Sequence, residues 1–261
     1  MRDYSEDELR LAFRDMKQHG MTTVMAKIIP EVSFGKDGRL LLDFSWAKRG
    51  VRVFKEVFGN DIVVAGGMAN IAELINHEIV QAGQWFSKEI QEQTPLRWTL
   101  YEYAYEQIVD KLVDWSCTPY MFIYDEPAGS KYRDLAIAGY KHAKDVKPEV
   151  PIAVTTTLEF AETMNDYFNI NMFSYYADDF DPAIAQTLCR DSKDLYWAYG
   201  QSWSNLPHSC ATLRYEAGFY AWKQGFEGIG WWAYRVSVKD PQNDLDGSTQ
   251  DFMMSYQSEQ G

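Results

Sequence analysis

The chain has 261 residues, 38 of them acidic and 25 basic, for a net charge of -13. Nucleic acid is a poor partner for such a surface, because phosphate binding needs a basic stripe and here Lys and Arg are scattered. No apolar stretch approaches the roughly 20 residues of a membrane span, so no membrane partner is expected. Nine Trp and 17 Tyr are an aromatic inventory richer than a core requires, and such rings serve sugar-binding clefts as apolar platforms with polar tips.

Met1 to Arg10 is charged and lacks an apolar h-region, so it does not read as a secretory signal. Ser5 followed by Glu8 predicts a capped helix through about His19, stopped by Gly20. Met21 to Ile29 reads as a buried strand, with Glu31 at its end. After a Gly35–Gly38 turn come a short extended piece over Arg39–Phe44 and a helix over Ser45–Phe58. Asp61–Ala65 is a second buried strand, ending in Gly66, Gly67, Met68 and Asn70. Two helical stretches separated by Pro95 fill Ala69–Trp115.

Pro119–Tyr124 is then an apolar strand that ends in Asp125, Glu126 and Pro127. A helix over Tyr132–Val146 follows, then a strand over Pro151–Thr157 and a helix over Glu159–Tyr167. Ile170–Tyr175 is a strand, Asp181-Pro182 opens a helix to about Cys189, and Leu195–Tyr199 is a strand. A helix over Ser209–Gln224 with an aromatic face precedes a last strand, Gly228–Tyr234. Apolar strands alternating with helices predict a parallel sheet covered on both sides. The expected fold is α/β, a (β/α)8 TIM-type barrel in one domain spanning 1–261, with about seven barrel strands and neither end closing convincingly.

Barrel chemistry sits at the C-terminal ends of strands. The rim read this way carries Asp125 and Glu126, Tyr176, Asp178 and Asp179, Trp203, and Trp231 and Trp232. Thr155–Thr157 reads as strand propensity. His19, His77, His142 and His208 are dispersed, and Cys117, Cys189 and Cys210 have no zinc-ligand spacing, so neither a metal nor another cofactor is expected. The three cysteines read as buried thiols.

Two carboxylates beside an aromatic cleft suggest glycosidic cleavage. The late strands Leu195–Tyr199 and Gly228–Tyr234 carry no acid at their ends, which leaves Asp178 or Asp179 as the only late-rim nucleophile. Adjacent carboxylates on a regular strand point to opposite faces, so Asp125 and Glu126 converge only where the backbone leaves the pleat. Pro127 encourages that departure. Such a pair suits a substrate-assisted mechanism in which the nucleophile is the substrate's 2-acetamido oxygen. Asp125 is then the residue that orients and stabilises the acetamido group, and Glu126 the general acid and base. Tyr176, Asp178, Trp203, Trp231 and Trp232 are candidate sugar contacts. The competing readings are an inert carbohydrate-binding barrel and a two-carboxylate glycosidase pairing Glu126 with Asp178 or Asp179.

The Tyr124-Asp125-Glu126-Pro127 strand end, with Tyr132 opening the next helix, resembles the catalytic domain of glycoside hydrolase family 123 and its uncharacterised relatives. Arg214, Trp222–Gly228 and Trp231-Trp232 are similar to that family's helix-to-strand segment, and Met16–Val24 to its early helix-to-strand junction. Asp251–Tyr256 resembles the point where family members continue toward a final helix. The resemblance implies a (β/α)8 barrel and retaining β-N-acetylgalactosaminidase chemistry on a carbohydrate or glycan, with an adjacent Asp-Glu pair.

Overall fold

The computed structural model describes residues 4–27, 30–37, 39–59, 62–66, 68, 95–129, 133–175, 177–200 and 215–231. The chain divides into two compact units, Met1–Val154 and Thr155–Gly261.

The first unit opens with α1 (Glu6–Gln18). The expected capping box is present: the Ser5 hydroxyl accepts from the Glu8 amide at 3.3 Å, and the Glu8 carboxylate accepts from the Ser5 amide at 2.7 Å. Two amides that helix geometry leaves without partners are thereby satisfied. Leu9 and Phe13 of α1 are buried, and Phe13 meets the rings of Phe54 and Phe58 on α2 (Ser45–Phe58) edge-on at 6.0 and 5.8 Å. Arg10 of α1 reaches across to Glu56 at 2.8 Å, and Lys17 donates to the Val57 carbonyl at the negative end of α2.

Between these helices the strand expected over Met21–Ile29 is shorter, β1 (Met25–Lys27). Glu31 follows β1 in the chain. It begins β2 (Glu31–Phe34), which pairs antiparallel with β3 (Leu40–Asp43), Glu31 opposite Asp43. The turn at Gly35 was legible, but four half-exposed residues give too short an alternation to announce the partner strand.

The rest of the unit is β4 (Ile62–Gly66), α3 (Pro95–Asp114), β5 (Thr118–Phe122), α4 (Arg133–Val146) and β6 (Ile152–Thr156), which runs on across the boundary between the units. Its strands are parallel in the order β1-β4-β5-β6, with Met25 opposite Val64, Val64 opposite Tyr120 and Met121 opposite Ile152. Pro95 starts α3, where its missing N–H is harmless, and the stretch before it lies outside the described residues.

In the second unit the Thr157 hydroxyl caps α5 (Leu158–Met164), so the last of the three threonines has a structural role. Then come β7 (Ile170–Ser174), α6 (Pro182–Ser192), β8 (Leu195–Gly200), a π-helix over Tyr215–Tyr220 leading into α7 (Ala221–Lys223), and β9 (Gly228–Trp231). These strands are parallel in the order β7-β8-β9. Asp181 caps α6 by accepting from the amides of Ala183 and Ile184 at 2.8 and 3.2 Å. Leu158, Phe173, Cys189 and Tyr196 form the core, and Phe226 stacks on Tyr196 at 4.3 Å. A side chain at Gly228 would lie 2.5 Å from the Trp197 ring, so the close approach of β9 to β8 requires glycine there. Parallel strands joined by helices make both units α/β.

Candidate active site

The ladder of β5 stops at Phe122, two residues before the apolar run ends. Ile123 and Tyr124 continue as buried backbone outside the sheet, at 1% and 8% exposure, and the chain then bends through Asp125 and Glu126. Both acids are exposed, at the C-terminal end of a parallel strand, and Pro127 behind them is buried. Glu126 has φ 43°, in the left-handed region. For a residue with a Cβ this conformation costs about 1–3 kcal/mol, and such strain concentrates at functional sites. It also removes the strict alternation that would send adjacent side chains to opposite faces.

The two carboxylates sense one another. Partial burial, and secondly the charge of Asp125, raise the Glu126 carboxyl above its ordinary value. The side chain is solvent-exposed, yet enough protein surrounds the carboxylate to disfavour its charge. An acid near a like charge holds its proton to higher pH, which suits proton donation.

Helices α3 and α4 supply the packing behind this turn. The Tyr140 hydroxyl donates to the Tyr124 carbonyl at 3.3 Å, and the two rings meet edge-on at 6.1 Å. Tyr140 and Tyr101 are fully buried, and burial drives both phenols well above their ordinary values. Gly139 lets the group close up: a Cβ there would lie 3.0 Å from the Tyr124 ring and 3.3 Å from the Tyr101 hydroxyl. Arg97, one turn before Tyr101 on α3, is 2% exposed. Further out, Trp98 stacks on His142 at 4.3 Å, and His142 pairs with Glu102 at 2.5 Å, which joins α3 to α4.

Reading strand ends did not find Arg97, Tyr101, Gly139 or Tyr140. Their signal is helical spacing: Arg97, Tyr101 and Tyr105 lie on one face of α3, and Ala136, Gly139, Tyr140 and Ala143 on one face of α4.

The other expected site residues fare unevenly. Asp178 and Asp179, after β7, are exposed central residues of a turn closed by the Phe180 amide donating to the Ala177 carbonyl at 3.0 Å. Trp231 lies in β9, paired with Gly200, and only its backbone is described. Tyr176, Trp203 and Trp232 lie outside the described residues, as do Cys210, His77, His208, Tyr132 and Arg214. Cys117 and Cys189 are buried, and burial pushes the Cys189 thiol up to about 12. Among the described residues, no three His, Cys, Asp or Glu side chains gather as metal ligands, and no helix is long and apolar enough to cross a membrane.

A groove of about 650 Å³ opens in the second unit, lined by residues including Glu162, Asp166, Asp191 and Asp194. Asn169 and Asp194, which also line it, precede β7 and β8, so the groove lies at the N-terminal ends of those strands. A parallel α/β sheet keeps its ligands at the opposite ends, so the groove's size does not make it the active site.

Compared with known proteins, the sequence matches no family profile and no curated protein.

Proposed function

We propose that the chain is a (β/α)8-type glycoside hydrolase that cleaves N-acetylhexosaminides with retention, in the manner of family 123 β-N-acetylgalactosaminidases. The observation that carries this reading is the adjacent pair Asp125-Glu126 at the C-terminal end of a parallel strand. There the backbone turns left-handed at Glu126, and the Glu126 carboxyl is raised by partial burial and by Asp125. In the reaction, Glu126 gives its proton to the leaving glycosidic oxygen while the substrate's acetamido oxygen attacks the anomeric carbon. Asp125 accepts a hydrogen bond from the acetamido N–H and stabilises the positive charge that develops on the ring so formed. Glu126, now ionised, takes a proton from the water that opens that ring, which restores both the acetamido group and the acid.

The exposure of both carboxylates favours a second reading, an inert barrel that binds carbohydrate without cleaving it. The deciding assay sets aryl 2-acetamido-2-deoxyhexosides beside plain aryl hexosides. Turnover of the N-acetyl substrates alone is the expected result. Equal turnover of both classes would sink the substrate-assisted mechanism in favour of a conventional two-carboxylate one. Binding without turnover would establish the inert reading.

A further inference from the structure

We infer that Tyr140 is a positioning residue for the acid pair: its hydroxyl holds the Tyr124 carbonyl and so sets where the chain leaves the sheet toward Asp125 and Glu126. The inference rests on the catalytic reading of that pair. Beyond Phe122 the sheet no longer orders this backbone, and a left-handed glutamate persists only where its surroundings over-determine it. Helix α4 supplies two such restraints from neighbouring residues. Tyr140 grips the main chain at Tyr124, one residue before the pair, through a buried hydrogen bond of 3.3 Å. Gly139 admits the Tyr124 ring to within 3.0 Å of where a Cβ would stand. Both the carbonyl and the ring of Tyr124 are therefore gripped by one rigid element, as a catalytic pair held to sub-ångström precision requires.

Among the described residues, the charged and titratable groups around the turn are Asp125 beside Glu126, Tyr124 itself, Tyr140 on α4, Tyr101 on α3, which faces Tyr124, and Arg133 at the start of α4, which donates to the Ala128 carbonyl at 3.3 Å. Tyr101 supplies an internal control. Its hydroxyl is buried in the same cluster, 3.3 Å from the position of a Gly139 Cβ, and makes no hydrogen bond among the described residues.

The test compares Tyr140→Phe with Tyr101→Phe, each of which deletes one buried hydroxyl and keeps the ring. The first readout needs no activity: a ¹³C titration of side-chain carboxyls in the full chain, with the Glu126 signal assigned by its loss in Glu126→Gln. Tyr140→Phe is expected to move the Glu126 midpoint, and Tyr101→Phe to leave it in place. With an aryl N-acetylhexosaminide, Tyr140→Phe is expected to lower kcat by about 10- to 100-fold, the scale of a misplaced catalytic group, while KM is retained. A folded Tyr140→Phe protein with an unmoved Glu126 titration, or equal shifts in both variants, overturns the inference. If Tyr140→Phe does not fold by near-UV circular dichroism, Gly139→Ala decides: a moved Glu126 midpoint supports the clamp and an unmoved one overturns it. Absence of turnover in the parent chain would refute the catalytic reading, and the titration would still decide whether Tyr140 sets the pair.

Discussion

Two pairs of adjacent acids follow strands of this chain, and they stand on different foundations. Asp178 and Asp179 occupy the tip of a hydrogen-bonded turn between β7 and α6, just ahead of the cap at Asp181. Any polar residues serve there, and exposed acids near a helix N-terminus are favourable without having a function. Asp125 and Glu126 follow two buried residues that have left the sheet, with strained backbone at Glu126 and a wall of buried tyrosines behind. The lesson is that acidity and position at a strand end do not distinguish a site from a turn. What lies behind the acids does.

The largest expected effect breaks the comparison directly. Glu126→Gln should lower turnover of an N-acetylhexosaminide by about 10²- to 10⁴-fold, the range for a general acid. Asp178→Asn and Asp179→Asn should stay within about twofold, as exposed substitutions do. Steady-state kinetics on the three variants would reverse the assignment if the order came out the other way.

Asp125→Asn should cost about 10²-fold or more if its charge stabilises the reacting ring. It should also move the pH profile. Asp125 helps to hold the Glu126 carboxyl up, so its neutralisation lowers that value. The alkaline limb of kcat/KM, where the acid loses its proton, would then shift to lower pH. A limb that stayed fixed would show that the two carboxylates do not interact, and one that moved upward would show that Asp125 does not hold the Glu126 carboxyl up.

Gly139→Ala sharpens the contrast on the stability side. Its methyl group would press on Tyr124 at 3.0 Å inside a closed cluster, and overpacking of this kind costs about 1–3 kcal/mol. Urea unfolding measures that loss, and an unchanged midpoint would mean that the packing behind the pair is loose.

The smallest effects concern backbone strain. Lys193, with φ 66°, ends α6, and Glu126, with φ 43°, ends the run after β5. Glycine at either position should stabilise the fold by about 1 kcal/mol, because it removes the penalty of a left-handed side-chain residue. Only Glu126→Gly should abolish activity. The Glu126 exchange should also flatten a pH dependence of stability. A carboxyl held above its ordinary 4.5 in the folded state favours folding most at pH below 4.5. That contribution is lost as pH rises through the folded value. Unfolding midpoints measured across this range would test the sign.

Much of the architecture is legible in the residues because it rests on local chemistry. The capping box of α1, the Asp181-Pro182 start of α6 and the apolar strands from β4 to β8 each announce themselves within a few positions. The β2–β3 pairing is not legible, because four half-exposed residues give too short an alternation to mark β2 as a strand. Pro95 opens α3, a place where a residue without an N–H is tolerated.

The candidate site divides along the same line. The sequence by itself determined that two acids and a proline end an apolar run, since composition and order are local facts. Only the tertiary structure decided that the sheet releases the chain at Phe122, that Glu126 turns left-handed, and that Tyr140, Gly139 and Tyr101 close behind Tyr124. Those outcomes depend on contacts between residues up to some 40 positions apart, such as Tyr101 with Gly139. No local pattern encodes them, because the free energy that holds the turn resides in the packing of α3 and α4 rather than in the four residues that form it.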